Sequence, residues 1–142
     1  SPGLLKTANN KLKKAGFQKF KLFLSSGVDL PFEDFVFDIC FCNLSLNFFS
    51  NIFPVLNEVF RVLKSEGCFI CSTPIPEKMK RSNNIRGVLR TEEELRNSFE
   101  KEGFLFKTIP EENGVLLYIQ GKKQNNNSES LANRNISWYK SV

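Results

Sequence analysis

The chain has 142 residues, with 20 Lys and Arg against 15 Asp and Glu for a net charge of +5, no histidine, and 41% hydrophobic and 25% charged residues. Such a length suits one hydrophobic core rather than two, and such a balance is that of a globular chain and excludes wholesale disorder. Phe supplies 15 residues against two Tyr and one Trp, so one large apolar side chain carries most of the aromatic burial. The most apolar window, Phe35 to Phe49, is interrupted by Asp38, Asn43 and Asn47. It therefore falls short of the roughly 18 apolar residues a membrane span needs, and a soluble, cytoplasmic chain is expected. The chain opens on Ser1-Pro2-Gly3 and its only methionine is Met79. A segment upstream of Ser1, with any targeting signal in it, is accordingly expected.

Ser1 and Pro2 make a helix start, and Leu4, Leu5, Ala8, Leu12 and Ala15 recur at helical spacing, which predicts a first helix over about residues 2 to 15. Lys6, Lys11, Lys13, Lys14, Lys19 and Lys21 all precede the first acidic residue. No aromatics interleave with them as a stacking platform for single strands would require, so they read as the solvated face of that helix and carry no nucleic-acid signal. Alternation over Phe20 to Leu24 predicts a short strand, Ser25-Ser26-Gly27 a turn, and Leu30-Pro31-Phe32 an extended, rigid link. Phe35 to Cys42 is near-continuously apolar and predicts a strand buried on both faces, as in a parallel sheet covered by helices.

Ile52 to Leu63 carries Val55, Leu56, Val59, Phe60 and Leu63 on one stripe, tolerates Pro54 in its first turn, and should stop at Ser65-Glu66-Gly67. Gly67 is expected to take the conformation needed past a helix end. Glu58 and Arg61, three apart, should pair along the helix as architecture, and Asp38 should hold a neighbouring turn through backbone hydrogen bonds. Cys68 to Thr73 predicts a third strand, ended by Pro74 and Pro76, and Glu77 to Arg90 a polar loop. Thr91-Glu92-Glu93-Glu94 is a capping box for a helix closing at Gly103. Phe104 to Ile109 and Val115 to Gly121 should form an antiparallel hairpin around Asn113-Gly114. Residues 122 to 142, with Gln124-Asn125-Asn126-Asn127-Ser128, read as a flexible polar tail.

Cys40 and Cys42, with Cys68 and Cys71, offer close pairs that mimic zinc ligands. Both pairs sit in strand-like runs, where Cys68 and Cys71 would point to opposite faces, so four reduced core thiols and no metal are expected.

The order of elements implies an α/β sandwich wound in one direction. Leu30-Pro31-Phe32 followed by Phe37-Asp38, then Glu58-Val59-Phe60-Arg61-Val62-Leu63-Lys64-Ser65-Glu66-Gly67 leading a strand, resembles class I S-adenosylmethionine-dependent methyltransferases, within them the type 11 family. Ser1-Pro2-Gly3-Leu4-Leu5 and Thr91-Glu92-Glu93-Glu94-Leu95 to Gly103-Phe104 resemble further motifs of that family, so that the likeness runs over residues 1 to 121, a partial methyltransferase domain. It implies a Rossmann-like fold, mainly parallel with a terminal antiparallel hairpin, incomplete at its N-terminus. The glycine-rich turn and acidic strand end that grip the cofactor in the family would precede Ser1. Two further strands would fill the gap between the Phe20 strand and the Phe35 strand, and an oligomer or partner chain would then cover the exposed sheet edge.

The resemblance also implies S-adenosylmethionine as cofactor and a small-molecule acceptor. Ser26, Gly27, Val28 and Asp29 fall where the family holds the adenine edge, Asn43 and Leu44 where it places the cofactor's methionine part, Leu4 where a side chain packs on adenine, and Asn47 toward the substrate. Many relatives carry His near Asn47; Asn is no base at neutral pH, so no catalytic side chain is assigned. Two other readings compete. One is a non-catalytic, truncated methyltransferase-like fragment that serves as an interaction module. The other, a dinucleotide enzyme of related fold, leaves the Glu58-to-Lys64 pattern unexplained.

Overall fold

In a computed structural model, which describes residues 1–79, 85–110 and 114–124, four strands and three helices follow one another along the chain. Helix α1 (Pro2–Lys14) comes first, then strand β1 (Phe37–Asn43), a single 3-10 turn at Leu46–Phe48, helix α2 (Phe53–Val62) and strand β2 (Leu63–Pro74). Helix α3 (Glu92–Glu102), strand β3 (Phe104–Ile109) and strand β4 (Leu116–Lys123) complete it. The sheet order is β1-β2-β4-β3: β1 and β2 are parallel, and β4 inserts antiparallel between β2 and β3.

Local chemistry explains the helices. Pro54 occupies the first turn of α2, where no intrahelical N–H is lost, and the Asn51 side chain accepts the Phe53 N–H at 3.0 Å. At the other end Lys123, 5% exposed, donates Nζ to the carbonyls of Phe60 (2.5 Å) and Leu63 (2.7 Å), placing a cation at the negative end of the helix. The same ammonium lies 4.3 Å from the Phe35 ring centroid and 4.4 Å from that of Phe60. The capping box of α3 forms as expected: Thr91 Oγ1 accepts the Glu94 N–H and Glu94 accepts the Thr91 N–H. Gly103 ends the helix at φ 103, a left-handed position that favours glycine.

Helices α2 and α3 pack on one face of the sheet. Val55, Leu56, Val59, Leu95 and Phe99 meet Phe69, Cys71, Leu117 and Ile119 in one buried cluster. Its aromatic centre is Phe99, stacked on Phe69 at 5.6 Å and edge-on to Phe106 at 5.5 Å, with Phe104 at 5.7 Å.

Several expectations fail at the start of the chain. The Phe20–Leu24 strand does not form; an isolated bridge between Ser26 and Asp29 is the pairing recorded there. A lone extended segment has no ladder partner for its backbone groups, so alternation alone cannot make it a strand. Nor is β1 buried on both faces: Ile39 is 50% and Phe41 73% exposed, while Cys40 and Cys42 on the other face pack against the core. The strand starts at Phe37, not Phe35, which sits at φ 59. The apolar stripe of α1 is at most half-buried, at Leu5, Ala8 and Leu12, and Leu4 is 71% exposed.

Farther on, Ser65-Glu66-Gly67 does not stand outside the strand: β2 takes over directly from α2 at Leu63. The left-handed residue there is Glu66 (φ 64), not Gly67. Gly67 is required by close approach, since a Cβ on it would lie 2.9 Å from Lys64 O and 3.1 Å from Asp38 O. Asp38 accepts Lys64 Nζ at 2.9 Å rather than bonding a turn. Strand β4 runs two residues past Gly121, so Lys122 and Lys123 belong to the sheet, and the rest of the polar tail from residue 125 lies outside the described residues.

Candidate cofactor site at the end of β1

In open α/β sheets ligands bind beyond the carboxyl ends of parallel strands, where successive loops diverge. Here β1 ends at Asn43, and Leu44 follows at φ 52, a left-handed conformation that costs a branched residue about 1 kcal/mol. The surroundings hold it there. Leu44 N donates to Ser72 O at 3.0 Å, Ser45 Oγ donates to Asn43 O at 3.0 Å, and Ser72 Oγ donates to Asn43 Oδ1.

Alongside lies a groove of about 410 Å³. It is lined by Gly27 and Leu30, along β1 by Phe37 and by Ile39 to Asn43, then by Ser45 and Phe49, and by the core residues Val55, Val59 and Phe69. Gly27 is tightly placed: a Cβ on it would come within 2.9 Å of the Phe49 ring. Around it, Asp29 N donates to Ser26 O at 3.3 Å and Ser25 Oγ donates to Asp29 O at 2.5 Å, closing a compact turn.

That turn is fastened to α2. Leu30 N donates to Glu58 Oε2 at 2.8 Å. Arg61 donates Nη2 to Leu30 O (3.1 Å) and Nη1 to Phe32 O (2.7 Å) and to Asp34 (2.8 Å). Its Nε and Nη2 reach the two Glu58 oxygens at 2.8 Å each. The hydrogen bond from Arg61 holds the Glu58 carboxyl below the ordinary carboxylate range, and Glu58 followed by Asp34 raises the Arg61 guanidinium further above neutrality. The expected pairing of Glu58 with Arg61 is thus present, with a reach into the loop that helical spacing alone does not reveal.

Asn47 is buried at 3% exposure in the turn after β1. Its Nδ2 donates to Arg86 O at 2.7 Å and its own carbonyl accepts Val88 N at 2.7 Å. Arg90 Nη2 donates to Phe49 O and Ser50 O, both at 2.8 Å. Residues 86 to 90 therefore lie as a strap over the 3-10 turn. Gly87 permits the approach, at φ 103 and with no room for a Cβ beside Asn47 O. Nothing about residue type at 86 to 90 singles this strap out in the sequence.

Of the residues expected at the site, Gly27 and Asn43 line the groove; Ser26, Val28 and Asp29 belong to the turn that carries Gly27 and are not among the lining residues, nor is Leu44, which follows Asn43 at positive φ. Asn47 lies behind the strap, and Leu4, on the exposed α1, is not among the lining residues. Burial pushes up the thiols of Cys40 and Cys42, which line the groove, and of Cys71 in the core, which disfavours a thiolate at any of them.

A mixed sheet with helices on one face, a strained corner at a strand's carboxyl end and a groove beside it define a Rossmann-like α/β protein. A sequence model of the family described as Methyltransferase domain, type 11, matches residues 1–71, half of the chain, and the chain belongs to that family. The demethylmenaquinone methyltransferase of Bacillus pumilus is 32% identical over 78 residues, 54% of this chain and 33% of that protein. That of Anoxybacillus flavithermus is 34% identical over 71 residues, 50% of this chain and 30% of that protein. The chain thus spans about a third of the length of the curated relatives it matches. The solved structure of the YcgJ protein from Bacillus subtilis superposes with a TM-score of 0.75 at 17% identity, covering 87% of this chain and 80% of that one. A SAM-dependent methyltransferase from Aquifex aeolicus gives 0.71 at 18% identity, covering 83% and 62%. At such identities the likeness speaks for the fold. Among the described residues no helix is long and apolar enough to cross a membrane.

Proposed function

We propose that the chain is the cofactor-facing part of an S-adenosylmethionine-dependent methyltransferase acting on a small-molecule acceptor. The observation that carries this reading is the groove that runs along the edge strand β1 from Phe37 and ends, at the strand's carboxyl end, beside Gly27 and the Asn43–Ser45 corner. Its volume lies within the range of small-molecule sites, and its largely apolar lining suits a flat heterocycle. Gly27, tight against Phe49, lets backbone approach a ring where any side chain would intrude. Ser26 and Asp29, exposed on the turn that carries Gly27 and outside the groove's lining, are the acceptors we assign to an exocyclic amino group, and Asn43, which does line the groove, offers its Nδ2 as a donor.

S-adenosylmethionine, when bound, supplies a methyl group already activated for displacement. The chain's own part is to hold, orient and exclude water: Leu30, Phe37 and Phe49 give the groove apolar lining, and the strap at residues 86 to 90 holds Phe49 through Arg90. The polar groups lining the groove, Asn43 and Ser45, offer no base at neutral pH, so the acceptor must bring a reactive nucleophile or lose its proton elsewhere.

The exposed apolar side of β1 supports a further partner or chain segment against that edge. A methyltransferase of Haloferax volcanii that shares the fold, with a TM-score of 0.60, was solved in complex with the Trm112 activator. Titration calorimetry of the 142-residue chain with S-adenosylmethionine tests the reading. Saturable binding at micromolar concentration is expected, and the absence of binding would return the chain to a non-catalytic interaction module.

A further inference from the structure

We propose that Glu58 and Arg61 are positioning residues for cofactor selectivity, setting the Ser26–Asp29 turn so that it discriminates the edge of the base. This rests on the cofactor reading above and names two residues on α2 that do not line the groove. The geometry carries it. Arg61 Nη1 and Nη2 take the carbonyls of Phe32 and Leu30, and Glu58 takes the Leu30 N–H, so both backbone polar groups of Leu30 are pinned. Leu30 immediately follows Asp29, the last residue of the turn. The other end of the turn joins residues 17 to 25, which have no regular structure and reach it through Ser25 Oγ, so the clamp is what ties the turn to a helix.

What the clamp holds is telling. A partly exposed Glu–Arg pair three apart on a helix adds little stability by itself. Pro31 is exposed and Leu30 and Phe32 are only half-buried, so little core is gained by fastening them. The guanidinium is spent on ordering a loop, with Phe32 braced edge-on by Phe23 at 5.0 Å and by Phe37 at 4.8 Å. The fork of donors matters more than the charge, because Lys offers no planar pair to bridge two carbonyls and two carboxylates.

The test uses the 142-residue chain, the variants Arg61→Lys, Glu58→Gln and, as a control, Asp34→Asn. Affinities are measured for S-adenosylhomocysteine and for S-inosylhomocysteine, which carries a 6-oxo group in place of the 6-amino group. Amide hydrogen exchange at Gly27 to Leu30 is followed in parallel. The wild type should prefer the adenosyl ligand by about tenfold or more; Arg61→Lys and Glu58→Gln should erase most of that preference while the inosyl affinity moves less than about twofold. Exchange at Leu30 should quicken in both, and Asp34→Asn should keep the preference.

Preference retained in both clamp variants despite faster exchange at Leu30 would overturn the proposal and leave a mere fastening. So would unchanged exchange, or a wild type that binds the two ligands equally. A wild type that binds neither ligand refutes instead the cofactor reading on which the proposal rests. Glu58→Gln keeps the side chain's shape, so the comparison survives if Arg61→Lys fails to fold.

Discussion

Residues 1 to 45 and residues 46 to 123 are built on different terms. Every described core residue lies at or beyond Leu46, and before it no residue is buried, although Leu4, Leu5, Phe20, Leu24, Ile39 and Phe41 are as apolar as anything that follows. The later region closes on itself, with two helices on one face of a sheet and a Phe cluster between. In the earlier region β1 alone joins the sheet, with Phe37, Cys40 and Cys42 packed against the core, and what precedes it is fastened by polar contacts: the Arg61 fork and the Ser25–Asp29 turn. Apolar content makes a core only where a second apolar surface is available to meet it, and the groove forms where the two regimes adjoin.

Breaking the core should cost most. Phe99→Ala removes the ring that touches Phe69, Phe104 and Phe106, and should lower stability by about 3 to 5 kcal/mol in urea unfolding. Lys123→Met strips the donor from the end of α2 while keeping most of the volume, at a cost of about 1 to 3 kcal/mol by the same measurement. Leu4→Ala, at the exposed α1, should stay within about 0.5 kcal/mol of the parent. A loss at Leu4 comparable to that at Phe99 would mean that α1 is packed in solution, and the contrast between the two regions would fall.

The same contrast explains what was legible beforehand. Helix α3 could be read nearly to the residue because its signals are local: a capping box at Thr91 and a glycine stop at Gly103. The stripe of α2 and the terminal antiparallel pair were legible for similar reasons. Phe20–Leu24 was misread because alternation reports a side-chain pattern and says nothing about whether a neighbouring strand exists. A continuous apolar run likewise does not say whether a layer covers a strand's second face, and on β1 Ile39 and Phe41 stay exposed. At the site, the Ser26–Asp29 and Asn43–Leu44 candidates came through the resemblance to the family, and the groove brings Gly27 and Asn43 together. The strap did not come through at all, since hydrogen bonds between residues about 40 apart, such as Asn47 to Arg86 and Arg90 to Phe49, leave no trace in spacing. Lys123 was assigned to a polar tail on composition, whereas its ammonium is buried against two rings and two carbonyls.

The most direct test of the site is a titration of the isotope-labelled chain with S-adenosylhomocysteine, followed by backbone amide shifts. Shifts that saturate and are largest at Gly27 to Asp29 and at Asn43 to Ser45, with α3 and β3 unmoved, are the predicted result. Saturating shifts centred elsewhere, or none at these two segments, would contradict it.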